Sequence, residues 1–357
     1  MSHDTNALLQ EARRQLEICN ACRYCEGFCS VFPEMTRHKL FADGDISHMA
    51  NLCHNCRGCY YSCQYSPPHE FQLNLPAALA EVRQDSWETL VWPQPLARAF
   101  HERGVKIMAL LVAATMAMLW LVINLRSEGG TGFYAYMAHN LMVAIFLPAF
   151  LLPLVSVAVG LRRYWRLTGG KAVVLADLKG AFASAARMKN LAGGHGEGCN
   201  FEREDRYSNA RRFAHQAVMY GFLLCFASTS VATLMHYLLA MPAPYPLFSP
   251  PKLLGLSGGV LMVLGTGEMI RLKLKSDPDL GSRRVWGGEM AFILLLGLTA
   301  ATGLVLYAAS GTAAVGLLLP LHLGTVLTLF LLMPFSKMVH GFFRLSALII
   351  DEQKKRA

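Results

Sequence analysis

Eight of the ten cysteines lie in the first 63 residues and form two runs with one shared spacing, C-x2-C-x2-C-x3-C. Three thiolates spaced in this way can bind one face of an iron–sulfur cube, because a tight loop turns their sulfurs toward a common point. The fourth cysteine of such a run typically binds the cluster of the other run. The pattern therefore predicts two [4Fe–4S] clusters. One is held by Cys19, Cys22, Cys25 and Cys63, and the other by Cys53, Cys56, Cys59 and Cys29.

Disulfides and zinc are the alternative uses of clustered cysteines. Disulfide frameworks belong to oxidising compartments, whereas residues 1–18 are polar and charged and lack the apolar segment of a signal peptide. Structural zinc stays open, although four cysteines in this crowded spacing suit a cube better than a tetrahedral ion. The pattern departs from bacterial ferredoxins in one respect, since Ser30 and Gln64 stand where proline usually follows the fourth cysteine.

The cysteine runs precede a long hydrophobic remainder. The chain has 357 residues, of which 54% are hydrophobic and 16% charged, and its mean hydropathy is +0.33. These values are typical of a membrane protein rather than of a large soluble core. A helix needs about 20 apolar residues to cross the hydrocarbon core of a bilayer. Six segments meet this requirement, and the last is expected to continue past Pro334 to residue 343: 105–125, 137–161, 213–239, 253–270, 290–309 and 314–335.

These patterns predict an all-α protein. Apolar residues recur at helical spacing across residues 5–18, and no alternating β pattern occurs between the two cysteine runs, so the head is expected to be an α-helical ferredoxin. The predicted domains are a di-cluster α-helical ferredoxin-like head (1–75), a connector (76–104), a six-helix transmembrane bundle (105–345) with a cytoplasmic loop (162–211), and a basic cytoplasmic tail (346–357).

The basic residues predict the orientation in the membrane, because cytoplasmic connections carry an excess of Lys and Arg. One side of the predicted bundle holds only Arg126 and Lys252. Both termini and the head are therefore expected on the other, cytoplasmic side. The net charge of +9 follows from this topology and does not indicate nucleic-acid binding. The cytoplasmic basic residues are Arg162, Arg163, Arg166, Lys171, Arg211, Arg212, Arg271, Lys273, Lys275, Arg283, Arg284, Lys354, Lys355 and Arg356.

Five histidines lie in the predicted spans, where ionisable side chains are rare and usually functional. His215 and His340 fall at the inner level of two antiparallel helices, and His236 and His322 fall at the outer level. The 18 residues between His322 and His340 make about five turns, which returns both to one helix face. Two facing imidazoles can bind a b-type haem, so the two pairs predict one or two haem b groups. Alternatively, these histidines are polar groups bonded between helices, and His139 competes for the outer site.

The chain contains no dinucleotide-binding glycine fingerprint, so it is not expected to oxidise a metabolite itself. The chain is expected to carry clusters in a soluble head and haems in the membrane, and no second soluble redox domain is recognised. The expected electron acceptor is therefore a membrane quinone.

Three stretches carry a specific family resemblance. They are Cys-Gln-Tyr-Ser-Pro-Pro-His-Glu-Phe (63–71), Gly-His-Gly-Glu-Gly-Cys-Asn (194–200), and a span with Arg-Phe-Ala-His (212–215) and Tyr-Gly-Phe-Leu-Leu-Cys-Phe-Ala-Ser-Thr-Ser (220–230). In these, the chain resembles the tricarballylate/citrate utilization protein B family over essentially its whole length. Its spans are also similar to the gamma subunit of respiratory nitrate reductases, where paired histidines on two helices hold b haems.

The resemblance implies a multi-pass protein of the bacterial cytoplasmic (inner) membrane with two [4Fe–4S] clusters and haem b. Its partner would be an FAD-containing flavoprotein, the tricarballylate dehydrogenase, whose electrons pass to the quinone pool. Two other functions stay open. One is a quinol-oxidising subunit of a heterodisulfide- or nitrate-type reductase, because reduction potentials set the direction of electron flow. The other is a membrane iron–sulfur sensor without turnover.

Overall fold

The computed structural model describes residues 5–125, 135–194, 196–200, 206–277, 280 and 283–356. Arg126 of the charge pattern and His195 of the 194–200 stretch lie outside the described residues. Within them the chain forms thirteen α-helices and no β-strand, which confirms the all-α class. The helices are α1 (Thr5–Cys22), α2 (Val31–Met35), α3 (Asp43–Leu52), α4 (Gly58–Tyr61), α5 (Leu75–Leu90), α6 (Gln94–Asn124), α7 (His139–Leu167), α8 (Leu175–Arg187), α9 (Ala210–Leu238), α10 (Pro250–Lys275), α11 (Arg283–Ala308), α12 (Val315–Leu331) and α13 (Val339–Arg356).

The head is built from short helices whose ends are defined by the cysteine loops. The predicted helix before the first run is α1, which buries Leu16 and continues as far as Cys22. Helix α5 begins at a defined cap: Asn74 Oδ1 accepts a hydrogen bond from the Ala77 N–H at 3.2 Å. A side-chain cap of this kind satisfies one of the N–H groups left without a partner at a helix start.

Five helices, namely α6, α7, α9, α10 and α11, are long and apolar enough to cross a membrane. The sixth predicted span corresponds to α12, which is apolar but has only 17 residues. Its length of roughly 25 Å is less than a hydrocarbon core of about 30 Å. The six-helix bundle therefore stays a prediction, whereas the five longer helices fit a membrane protein.

The predicted continuation of the sixth span past Pro334 is wrong. Helix α12 ends at Leu331, and residues 332–338 form turns before α13 begins at Val339. The Pro334 ring has no N–H to donate and clashes with the preceding helical turn. His340 consequently lies on a different helix from His322.

The predicted basic tail, residues 346–357, is also not a separate tail. Most of it is the second half of α13, whose apolar face is buried in the same hydrophobic core as α1, α3 and α5. Phe343, Ala347 and Ile350 on this face are at most 1% exposed. The last helix therefore belongs structurally to the head, and the predicted boundary at residue 345 falls inside it.

Helices α9 and α10 approach each other closely along glycines. A Cβ built on Gly258 would lie 2.7 Å from the Gly221 carbonyl oxygen, and one on Gly221 would lie 2.8 Å from the Gly258 carbonyl oxygen. These distances are too short for any side-chain carbon. Glycine at both positions is what allows the two backbones to pack in contact, as small residues do in membrane helix pairs.

Candidate functional site

The structure brings Cys63 to the three leading cysteines of the first run. Cys19 and Cys22 occupy the last turn of α1, and Arg23 follows with φ of 55°, which turns the chain toward Cys25. These four cysteines, named here the first set, line one cavity of ≈ 260 Å³. Cys59 lines this cavity too, and the other residues around it include Tyr24, Phe32, Tyr60, Gln64, Tyr65 and Pro76.

The second set, Cys29, Cys53, Cys56 and Cys59, lines a second, smaller cavity. The loop from residue 53 to residue 59, named here the Cys53 loop, is held tight by left-handed conformations at Asn55 (φ 53°) and Arg57 (φ 66°). The Asn55 N–H lies 3.4 Å from Cys53 Sγ. Each fourth cysteine thus lies with the leading cysteines of the other run, which is the grouping that crossed ligation requires. Ligation itself stays a prediction.

The chemistry of the thiols fits a polynuclear cluster. Burial, with a contribution from neighbouring thiols, raises the pKa of Cys19, Cys25 and Cys56 to about 12. Such thiols become thiolates only when a bound metal supplies positive charge. All ten cysteines are free. Among the described residues, no three His, Cys, Asp or Glu side chains converge closely enough to hold a single metal ion. The choice of an iron–sulfur cube over mononuclear zinc rests on the spacing of the two runs and stays a prediction.

The structure also brings His215 of α9 and His340 of α13 together. Their ring centres are 5.8 Å apart and the rings are nearly perpendicular, at 85°. Two imidazoles that bind one metal through bonds of about 2 Å have ring centres about 6 Å apart. His340 Nδ1 is hydrogen-bonded to the Lys337 carbonyl, which leaves Nε2 for a metal. His215 Nδ1 is buried with no hydrogen-bond partner among the described residues. His215 and His340 would therefore be the residues to hold one haem, whose iron would supply one-electron chemistry.

The outer pair predicted from the sequence is not assembled. His236 instead stacks on His139, with ring centres 4.4 Å apart and an interplanar angle of 24°. His139 Nε2 lies 2.8 Å from the Tyr237 hydroxyl. His322 Nδ1 lies 3.1 Å from the Thr302 hydroxyl. Stacked rings do not direct their nitrogens at one metal ion between them, so the structure brings together the predicted inner pair but not the predicted outer pair, and haem binding stays a prediction.

Two arginines at the Cys53 loop were missed by the sequence reasoning. Arg83 of α5 and Arg344 of α13 both donate to the Cys53 carbonyl, each at 2.9 Å. Arg83 also donates to the Ala50 carbonyl at 3.0 Å. The only signal in the sequence was an isolated arginine among the apolar positions of each helix. This signal is weak, because a buried arginine cannot be told from an exposed one in a sequence.

Two family models match the chain. One, described as citrate utilization protein B, matches residues 98–357, and the other, described as the citrate utilization protein B Fer4-like domain, matches residues 12–88. The chain is 41% identical over 351 residues to "Citrate utilization protein B" of Escherichia coli, an alignment that covers 97% of this chain and 92% of the relative. No solved structure matches the chain.

Proposed function

Because the chain belongs to the citrate utilization protein B family and has a Fer4-like domain at its N-terminal side, we propose that it is a membrane electron-transfer protein. It accepts electrons from a partner FAD-containing dehydrogenase, whose FADH2 it re-oxidises, and delivers them to the quinone pool. The observation that carries this proposal is the grouping of the eight cysteines into two sets, the second of which contacts the helix that carries His340 of the His215–His340 pair.

Two [4Fe–4S] clusters and haem b would supply the one-electron carriers between a two-electron flavin and a two-electron quinone. The first set would hold the outer cluster, close to the surface where Tyr24 is 71% exposed. The second set would hold the inner cluster, between α5 and α13. His215 and His340 would hold haem b. In this arrangement the partner binds the head at the first set.

The partner's substrate class follows from the family and not from this chain. The resemblance points to a tricarballylate dehydrogenase, and the name of the relative refers to citrate, so the partner would oxidise a tricarboxylate. We place the protein in the bacterial inner membrane, with α12 as a short sixth span and with the head and both termini in the cytoplasm. The basic connections on that side support this orientation.

Iron, acid-labile sulfide and haem measured on the purified protein test the proposal. The expected content is about eight iron and eight sulfide atoms per chain, with one haem b. After dithionite reduction, the haem absorption should return to its oxidised form when a short-chain quinone is added. Protein with zinc in place of iron, or without haem bands, would contradict the proposal.

A matched pair of cysteine variants localises the iron. Cys22→Ser is expected to lose about half of the iron, because it removes one ligand of the first set. Cys225→Ser is the control, since Cys225 lies in α9, outside both sets, and the iron content of this variant should equal that of the unmodified protein.

A further inference from the structure

Buried cations surround the Cys53 loop and the His215–His340 pair. Arg57 and Arg83 are only 3% and 4% exposed, and Lys273 is 8% exposed. Arg211 donates to the Asn55 carbonyl at 2.6 Å, so it reaches the same loop. Burying so many positive charges is costly unless negative charge compensates them.

The described carboxylates compensate only part of this charge. Glu289 pairs with both Lys273 and Lys337, so a single negative charge is shared between the two lysines. Arg83 and Arg344, by contrast, pair with no carboxylate among the described residues, and their hydrogen bonds end on backbone carbonyls. The Nε atom of Arg344 is buried without a hydrogen-bond partner in that part of the chain.

The two guanidinium groups lie close enough to repel each other. A nitrogen of each guanidinium lies 2.9 Å from the same Cys53 carbonyl oxygen, so the two positive charges face each other across one acceptor. Both arginines would therefore be stabilised by an anion at Cys53. An iron–sulfur cluster with its thiolate ligands is such an anion, and it becomes more negative when it is reduced.

The cavity of the first set has a different lining. Among its described lining residues other than cysteine are Tyr24, Tyr60, Gln64 and Tyr65, and none of the lining residues carries a formal positive charge. The cavity of the second set is lined by Arg57, and Arg83 and Arg344 contact the Cys53 carbonyl beside it, so the two sets offer their clusters unequal electrostatic environments. Net charge and hydrogen bonds near the sulfurs are among the factors that set the reduction potential of an iron–sulfur cluster.

We propose that Arg83 and Arg344 form a charge-compensating clamp on the Cys53 loop that raises the reduction potential of the inner cluster above that of the outer cluster. Electrons that arrive at the first set then move inward, toward the His215–His340 pair, because the inner cluster holds them more tightly. Arg344 and His340 are one helical turn apart on α13, so the same helix fixes the loop and the haem ligand. This inference rests on the proposed function.

An EPR-monitored redox titration of the purified full-length protein, with its clusters and haem, tests the clamp. Arg344→Gln keeps a hydrogen-bond donor for the Cys53 carbonyl but removes the charge, whereas Arg344→Lys keeps both. In the glutamine variant, the equilibrium constant for reduction of one of the two clusters is expected to fall at least tenfold. This corresponds to a reduction potential that is lower by about 59 mV for one electron. The lysine variant should keep the original potential. Cys56→Ser identifies the shifting signal as that of the inner cluster.

Arg13→Gln is the matched control, because Arg13 belongs to the same head but pairs with Asp43 at the surface. It should leave both potentials in place. Unchanged potentials in Arg344→Gln, or equal shifts in the glutamine and lysine variants, would overturn the clamp while the proposed function stands. If Arg344→Gln protein loses its iron, Arg83→Gln and Arg83→Lys make the same comparison at the other guanidinium. Absence of iron and haem from the unmodified protein would instead overturn the proposed function.

Discussion

Replacing either His340 or His215 with alanine is expected to remove one and the same haem from each chain. The two ring centres are 5.8 Å apart, close to the distance of about 6 Å that two imidazoles on one iron require. Each histidine is thus half of a single site. The double variant should therefore lose no more haem than either single variant, since the effects of residues that act as a unit do not add.

The measurement is haem per chain, from the pyridine haemochromogen absorption of protein purified in detergent. His322→Ala is the control: it loses a hydrogen bond to Thr302, which costs about 1 kcal/mol, and should keep its haem. If His215→Ala and His340→Ala each lost a different haem, so that the double variant lost twice as much, the shared site would be refuted. Loss of haem in His322→Ala would restore the outer pair predicted from the sequence.

Two further predictions concern the packing of the helices. Gly258→Ala is expected to destabilise the membrane domain by about 1–3 kcal/mol, because its Cβ would lie 2.7 Å from the Gly221 carbonyl oxygen. Gly267→Ala on the same helix is the control, because its Cβ would meet nothing within 4 Å. The thermal midpoint of this control in detergent should stay close to that of the unmodified protein. Burial raises the pKa of Asp177, but hydrogen bonds from the Val174 N–H and from Arg356 lower it by more and hold it below its usual range. Ionised Asp177 therefore stabilises the folded state at neutral pH, and this stabilisation is lost as the pH falls below about 4. The Asp177→Asn variant should have a lower thermal midpoint at pH 7, and its midpoint should depend less on acid pH. Equal pH dependence of the midpoint in both proteins would contradict this assignment.

Local spacing explains which parts of the site could be predicted from the sequence. The leading cysteines of each run lie within seven residues of one another, so the loop that carries them is defined by its own length, and the class of helical fold follows from periodicity in the same way. The histidine that lies against His236 in the structure, His139, could not be identified by this route. Matching the depth of His236 and His322 along two helices does not reveal which helices are neighbours, and the structure packs α9 against α10 and α12 against α6.

The break between α12 and α13 is the feature that joins the membrane helices to the head. A continuous α12 would carry residue 340 about 14 Å beyond Leu331 along the helix axis. The turns at residues 332–338 instead let α13 start in a new direction and pack into the head core. On α13, residues 340, 344 and 347 follow one another at the spacing of a single helix face, and this face contacts His215, the Cys53 carbonyl and the head core in turn. His340 therefore reaches His215 because the chain breaks between α12 and α13, and the same break brings Arg344 to the Cys53 loop.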